Sequence, residues 1–157
     1  MEYQHDAPRD VDHSLSHRMP ISLSHLYRPS GDYIWKISDF SARKLNGVDN
    51  SAISFTISPT NANTAGFTCS SSADTNTTLS RDTFYSCGEG SFISFSFEGD
   101  SLTSTRLLFK QDVSDSITEF GTTTVPYYCH AGGAAPNDFV CQQVADSYVT
   151  LVQLPPA

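Results

Sequence analysis

Two side chains have a sequence context that could suggest a nucleophile, one serine and one cysteine. Ser91 follows the turn Cys87-Gly88-Glu89-Gly90, but the sequence lacks the Gly-x-Ser-x-Gly motif that exposes a catalytic serine in one large class of hydrolases. The only histidine in the part expected to fold is His130, and no motif pairs it with Ser91. Cys129 precedes His130, but an oxidised Cys129 would have no thiolate to attack a substrate. We therefore interpret the glycines before Ser91 as a tight turn, and a small esterase stays an alternative hypothesis.

Carboxylates are the second group of chemically capable side chains. Two carboxyl groups at a suitable separation can hydrolyse glycosides, but the spacing selects no pair here. His13 and His17 stand four residues apart, which could hold a metal on a helix, yet no acidic third ligand accompanies them. The sequence also lacks phosphate-binding glycine loops and EF-hand loops. We therefore predict that the protein has no catalytic residue, cofactor or metal site and that it is not an enzyme. The acidic candidates are Glu89, Glu98, Asp100, Asp112, Asp115, Glu119, Asp138 and Asp146.

The four cysteines indicate an oxidising compartment. They form an even set without a Cys-x-x-Cys pair, and such close pairs are what zinc sites need. A disulfide framework in a secreted protein is therefore favoured over a cytosolic protein with four buried thiols. Residues 1–30 contain no apolar core of a secretory signal, so we expect that a signal has been removed. Asn76-Thr77-Thr78 is a possible N-glycosylation site, with Asn76 as the acceptor.

The pairing of the cysteines follows from the loops that they would close. Four cysteines allow three connectivities. Cys69 with Cys87 closes a polar loop between two predicted strands, and Cys129 with Cys141 closes a loop around Gly132 and Gly133. Each local bridge would stabilise the fold by about 3 kcal/mol on the chain-entropy account. We therefore predict the disulfides Cys69–Cys87 and Cys129–Cys141.

Charge and hydropathy exclude two classes of partner. The chain has 157 residues, a net charge of −8 and a pI near 4.8. Such acidity opposes binding to the phosphate backbone of nucleic acids or to anionic lipid. No apolar run approaches the roughly 18 residues of a membrane span, so membrane insertion is not expected. The composition suits a protein partner with a basic surface.

Period-two hydrophobicity predicts an all-β fold. Apolar and polar residues alternate in several short runs that are separated by turn signals such as Asn46-Gly47 and Gly132-Gly133. Many short strands with such turns are typical of an antiparallel barrel or sandwich. One short helical turn is expected at 137–143, where Asn137 or Asp138 could cap it. The predicted strands are 33–38, 42–45, 53–58, 67–70, 83–87, 93–98, 106–110, 117–123 and 148–152.

The chain divides into two parts. Residues 1–30 are polar, contain four histidines and three prolines, and lack a well-supported helix, so we predict a disordered, flexible N-terminal segment. Residues 31–157 contain all the alternating runs and all the cysteines. They are predicted to form a single domain.

Several blocks of sequence resemble a known family. They are Gly31–Phe40, Arg43-Lys44, Phe67–Ser70, Tyr85–Glu89, Phe92–Phe97, Lys110–Asp115, Tyr128-Cys129, Ala131–Gly133, Asp138–Gln142 and Val144–Val152. In this order, and through both cysteine pairs, the sequence resembles the family of the major allergen of the mould Alternaria. Within it, the sequence is most similar to the secreted elicitors of the wilt fungus Verticillium.

The resemblance implies a fold, a location and partners. It implies a secreted fungal β-barrel with two intramolecular disulfides, carried here by Cys69, Cys87, Cys129 and Cys141. Members of the family act as allergens or as virulence effectors that trigger plant defence and hypersensitive cell death, so the expected location is extracellular, in the plant apoplast. The implied partners are a plant thaumatin-like pathogenesis-related protein and a flavonoid ligand. The family supplies no catalytic residues to carry over.

The sequence departs from the Alternaria allergen at one position that bears on assembly. That allergen has an additional cysteine shortly before the Gly-Asp-Tyr stretch, and this cysteine links two subunits. The corresponding segment here, Leu26–Ser30, contains no cysteine. We therefore expect a monomer or a weak non-covalent dimer.

Two functional hypotheses follow from these observations. In the first, the chain is a secreted effector or elicitor that binds a plant defence protein. In the second, the barrel carries a small aromatic, flavonoid-like ligand. The competing interpretation of the second is that the same rings fill the interior, as side chains do in small barrels. The rings in question are those of Tyr33, Trp35, Phe55, Phe95 and Phe97.

Overall fold

Nine antiparallel strands make up the fold in the part of the chain that the structure describes. The computed structural model describes residues 33–60, 66–74, 77–88, 91–98 and 101–153, so the predicted N-terminal segment, His13, His17, Asn76, Glu89 and Asp100 lie outside the described residues. The predicted all-β class with two disulfides is confirmed. The strands are β1 Tyr33–Lys44, β2 Ala52–Pro59, β3 Phe67–Ser72, β4 Tyr85–Ser86, β5 Ile93–Glu98, β6 Ser104–Ser114, β7 Ile117–Ala131, β8 Phe139–Gln143 and β9 Ser147–Gln153.

The strands make one sheet that wraps around a single core. Its hydrogen-bonded order is β3-β2-β1-β8-β7-β6-β5-β4. Strand β9 also pairs with β1 and β7, so it lies between them at a different level from β8. Phe55 on β2 packs against Phe95 on β5 and Phe109 on β6, with ring centroids 5.0 and 5.7 Å apart. These strands are distant in the order, so their contact shows that the sheet curves back on itself.

A disulfide connects the two ends of this sheet. No ladder joins the terminal strands β3 and β4 in the described part of the chain. Cys69 lies on β3, and Cys87 directly follows β4; their sulfur atoms are bonded and both residues are buried. The second disulfide joins Cys129 and Cys141, which are opposite each other on β7 and β8. We call the junction between β3 and β4 the seam.

The first strand is longer than the alternation predicts. The predicted strands 33–38 and 42–45 are one element in the structure, β1. A bulge between Ser38 and Ser41 holds Asp39 at a φ of 54°, and the strand pairs with β9 before the bulge and with β8 after it. The extra residue shifts the alternation by one position, so one strand has the sequence pattern of two.

The predicted helical turn at 137–143 is wrong. Residues 139–143 form β8, which pairs with β1 on one side and with β7 on the other. Asp138 caps no helix, since its carboxylate binds Arg43 instead. Cys141 points into the core, where it meets Cys129. These non-local partners outweigh the local capping signal.

Candidate functional site

An aromatic groove opens at the seam. Its volume is about 440 Å³. It is mostly apolar with two polar side chains, a composition that is typical of small-molecule sites. We call it the seam groove. It is lined by Trp35, Phe67, Cys87, Ser91, Phe92, Ile93 and Gln111.

The ends of several strands position these side chains. Trp35 points inward from β1 and meets the ring of Phe67, the first residue of β3, edge to face at 6.3 Å. Phe92 stands just before β5 and is 72% exposed. Gln111 on β6 lies opposite Ile93 on β5. The groove therefore offers one buried ring, one half-buried ring and one freely exposed ring, and flat aromatic molecules stack well on such surfaces.

The structure gives Ser91 a structural role in this groove. Its backbone amide donates to the carbonyl of Gly88 at 3.1 Å, and its hydroxyl accepts from the amide of Ile93 at 3.2 Å. His130 is exposed on β7, where Nδ1 lies 3.2 Å from the carbonyl oxygen of Ala131. No hydrogen bond joins Ser91 to His130 within the described residues. Cys129 is in a disulfide and offers no thiolate, and Ser91 has no base among the described residues, so neither candidate nucleophile is activated there.

The carboxylates form no catalytic pair or metal site in the described part of the chain. Glu98 pairs with Arg106 at 3.1 Å, and Asp112 accepts from the hydroxyl of Thr118 at 3.0 Å. Asp115 and Asp146 are exposed, whereas Glu119 is buried. No three potential metal ligands gather among the described residues. The candidates are therefore distributed over separate turns and strands.

The remaining candidate, Asp138, anchors the loop between β7 and β8. Its buried carboxylate accepts from the Nε of Arg43 at 3.0 Å and from the Nη2 at 2.6 Å. It also accepts from the amide of Ala134 at 3.0 Å, and a side chain at Gly132 would collide with it. These hydrogen bonds, chiefly that from Arg43, lower the pKa of Asp138 below its usual value, while burial opposes the shift. The carboxylate is therefore fully used in holding the loop.

Acid is expected to weaken this anchor. Because the pKa of Asp138 is lowered in the folded state, its contribution to stability is complete above the ordinary aspartate pKa of about 3.9 and is lost as the pH falls through the lower folded value. Asp138→Asn should lower the free energy of unfolding at neutral pH and flatten its decline in acid. Urea unfolding at a series of pH values measures this. The matched variant Asp146→Asn, at an exposed carboxylate, should keep the wild-type profile; parallel profiles for all three proteins would refute the prediction.

The interior is filled by side chains. Trp35, Phe55, Phe95 and Phe97, which were candidates for lining a ligand cavity, are all buried. The rings of Phe40 and Tyr127 stack at 5.8 Å and extend the same packed core. For Tyr33, the structure describes the backbone of the strand but not the side chain. Of the two interpretations of these rings, the structure supports the filled core.

Sequence reasoning named Trp35 but missed Phe67 and Phe92, the other two aromatic residues of the seam groove. Phe67 and Phe92 begin or precede strands whose ends meet only in the folded chain. One signal was available in the sequence, because Phe92 and Ile93 are consecutive and only one of two consecutive strand residues can face the protein core.

Among the described residues, no helix has the length and apolar character needed to cross a bilayer.

Comparison with known proteins places the chain in a family. The family model of Alternaria alternata allergen 1 matches residues 37–141. The major allergen Alt a 1 of Alternaria alternata is 53% identical over 125 residues, 80% of this chain and 76% of that protein. The allergen Ulo b 1 of Alternaria botrytis is 51% identical over 115 residues, 73% of this chain and 80% of that protein.

A solved structure agrees with the sequence comparison. The crystal structure of Alternaria alternata allergen Alt a 1 superposes with a TM-score of 0.72 at 52% identity, covering 81% of this chain and 93% of the other. The resemblance expected from the sequence blocks is thereby confirmed. The chain belongs to the Alternaria alternata allergen 1 family.

Proposed function

We propose that the protein is a secreted, non-enzymatic effector that acts in the plant apoplast as an elicitor. It binds a thaumatin-like pathogenesis-related protein and triggers plant defence and cell death. The seam groove lacks a nucleophile with a base among the described residues, and the relatives are named as allergens. Both points favour a binding role over catalysis.

The charge of the folded part is the observation that carries this proposal. Residues 33–157 hold 12 Asp and Glu against 6 Lys and Arg, a net charge of −6. Several exposed carboxylates make no ion pair in the described part of the chain, so their field extends into solvent. Such a field accelerates encounter with a basic partner. These carboxylates are Asp39, Asp112, Asp115 and Asp146.

Binding to a basic thaumatin-like protein is expected to depend strongly on salt. The association rate constant should fall by about tenfold as the ionic strength rises from about 0.01 M to 1 M. A variant with asparagine at the four exposed carboxylates should associate slowly at low salt and lose most of this dependence. Surface plasmon resonance at several salt concentrations measures both effects.

A matched variant controls for the number of substitutions. It carries four changes of exposed threonine to serine, which leave the charge unchanged, and should behave as wild type. Absence of binding, or an association rate constant that does not change with salt concentration, would contradict the proposal.

Infiltration of folded and of reduced, alkylated protein into leaves tests the elicitor activity. Equal cell death from both forms would show that a linear segment, and not the fold, is perceived.

The seam groove favours a second candidate function. Trp35, Phe67 and Phe92 form an aromatic surface, and Ser91 and Gln111 add polar groups beside it. A flavonoid-like molecule would bind there, on the surface, because the interior is filled. This candidate moves the expected ligand from the inside of the barrel to the seam.

The state of assembly is also part of the proposal. All four cysteines of the chain are used in the two internal disulfides. No thiol therefore remains for a covalent bond between subunits. We propose a monomer or a weak non-covalent dimer.

A further inference from the structure

Small hydroxylated side chains are common on the outer face of strands β3, β2 and β1, and the same face continues across β8 to β7. Antiparallel partners that are directly opposite share one face of a sheet, so the register defines three rows. We call this surface the serine face. Its rows are Ser70–Ser54–Ser41–Gln142–Tyr128, Ser72–Ala52–Arg43–Val140–His130 and Thr68–Thr56–Ser38.

This face is long, and a groove lies on it. A groove of about 480 Å³ runs over it, and Ser41 also lines an adjoining cleft of about 430 Å³ that includes Gln142. The longest rows reach from β3 to β7, five strands in all. At about 4.8 Å per strand, the face is about 19 Å wide. Its dimensions suit an extended chain better than a compact small molecule.

The hydroxyl groups of this face are available to a ligand. Elsewhere in the protein, the hydroxyls of Ser51, Ser96 and Ser147 donate to backbone carbonyls. By contrast, the hydroxyls of Ser41, Ser54 and the other Ser and Thr residues in the three rows hydrogen bond to no protein group within the described residues. Each hydroxyl can both donate and accept. The row that begins at Ser70 and the row that begins at Thr68 therefore each present unused donors and acceptors on three neighbouring strands.

The groove is close to neutral although the protein is acidic. Arg43 is the single charged residue that lines it, and its guanidinium is bound by the carboxylate of Asp138 through two hydrogen bonds. Within this groove a phosphate or sulfate group would find no free cation and a basic peptide would find no carboxylate, whereas Asp39 and Asp146 line the adjoining cleft. The chemistry that matches the groove is an uncharged molecule with many hydroxyl groups.

An aromatic ring stands at the end of the central row. Tyr128 is 66% exposed and lies opposite Gln142, on the same face as the serines. The C–H groups of a sugar ring can pack against such a ring while the sugar hydroxyls bond to neighbouring polar groups. We propose that the serine face binds a linear, uncharged polysaccharide, with one sugar ring stacked on Tyr128 and others along the hydroxyl rows.

Titration with short glycans tests this proposal. The probes are neutral hexamers of β-1,4-glucose, β-1,3-glucose and β-1,4-N-acetylglucosamine, with polygalacturonate as the charged comparison. Isothermal titration calorimetry on the full chain should give a Kd below about 1 mM for at least one neutral hexamer. The affinity should be unchanged by added salt, since the groove is neutral. Binding of no neutral hexamer, or of polygalacturonate alone, would overturn the proposal.

Two pairs of variants locate the site. Ser54→Lys puts a long charged side chain in the centre of the face, and Thr122→Lys puts the same side chain on the exposed surface of β7, outside it. Tyr128→Ala removes the ring at the end of the row, and Phe92→Ala removes an exposed ring at the seam groove, outside the serine face. The first member of each pair should weaken binding by about tenfold or more, and the second should not.

The controls also separate loss of binding from loss of folding. Tyr128 is largely exposed, so Tyr128→Ala should keep the wild-type thermal midpoint and remains informative if Ser54→Lys is unstable. Equal affinities of the wild type, Ser54→Lys and Tyr128→Ala would show that the glycan binds elsewhere and would refute the assignment.

Discussion

Replacement of both Cys69 and Cys87 by alanine is expected to lower the free energy of unfolding by about 3 kcal/mol. The disulfide closes a loop with a sequence separation of 18 residues. On the chain-entropy account, its removal raises the conformational entropy of the unfolded chain and so favours unfolding. The disulfide also connects the two ends of the sheet, β3 and β4, which no ladder joins in the described residues. Its removal should therefore open the seam as well as destabilise the fold.

A double variant at Cys129 and Cys141 is the matched control. This disulfide closes a loop with a separation of 12 residues between strands that are already paired. The control should lose a similar free energy but leave the seam closed. Denaturant unfolding measures the first quantity, and acrylamide quenching of Trp35, which lines the seam groove, measures the second. Quenching that rises equally in both variants would contradict a specific role for Cys69–Cys87 at the seam.

Local patterns were sufficient to predict most strands. Ile53, Phe55 and Ile57 alternate with polar residues, and in β2 these three are buried while the residues between them are half-buried. Alternation reports which face a residue takes, and burial of one face is what selects a strand. Where the alternation slips, as at the Asp39 bulge, the pattern divides one strand into two. Where a strand depends on distant partners, as β8 does, the local capping signal misleads.

The seam groove and the serine face depend on the pairing register of the strands, which cannot be predicted from this sequence alone. Ser91 is a nucleophile candidate in the sequence, yet in the fold it lines the seam groove together with Phe67, the first residue of β3. Phe67 and Phe92 are 25 positions apart in the chain and line the same groove only because the sheet curves back. The serine residues of the serine face are likewise ordinary until the ladders align them. The sequence shows that serine and threonine are frequent, and only the strand pairing shows that many of their hydroxyls share one face.

The packed interior leads to the second large effect. Phe55→Ala is expected to lower the free energy of unfolding by about 3–5 kcal/mol. The ring of Phe55 touches those of Phe40, Phe95 and Phe109, and its removal leaves a cavity that rigid neighbouring strands cannot fill. Such an apolar cavity stays dry and binds small aromatic molecules. Addition of benzene should therefore raise the thermal midpoint of this variant and leave that of the wild type unchanged.

Phe92→Ala is the counterpart at the surface and distinguishes the two places where an aromatic ligand could bind. Because Phe92 is 72% exposed, its removal should change the free energy of unfolding by no more than about 0.5 kcal/mol. If a flavonoid binds in the seam groove, its quenching of Trp35 fluorescence should weaken in Phe92→Ala by about tenfold in affinity. The same titration of Phe84→Ala, another exposed ring that lies outside the groove, should match the wild type. Quenching that survives in Phe92→Ala but disappears in Phe55→Ala, under conditions where that variant is folded, would return the ligand to the interior and contradict the filled core.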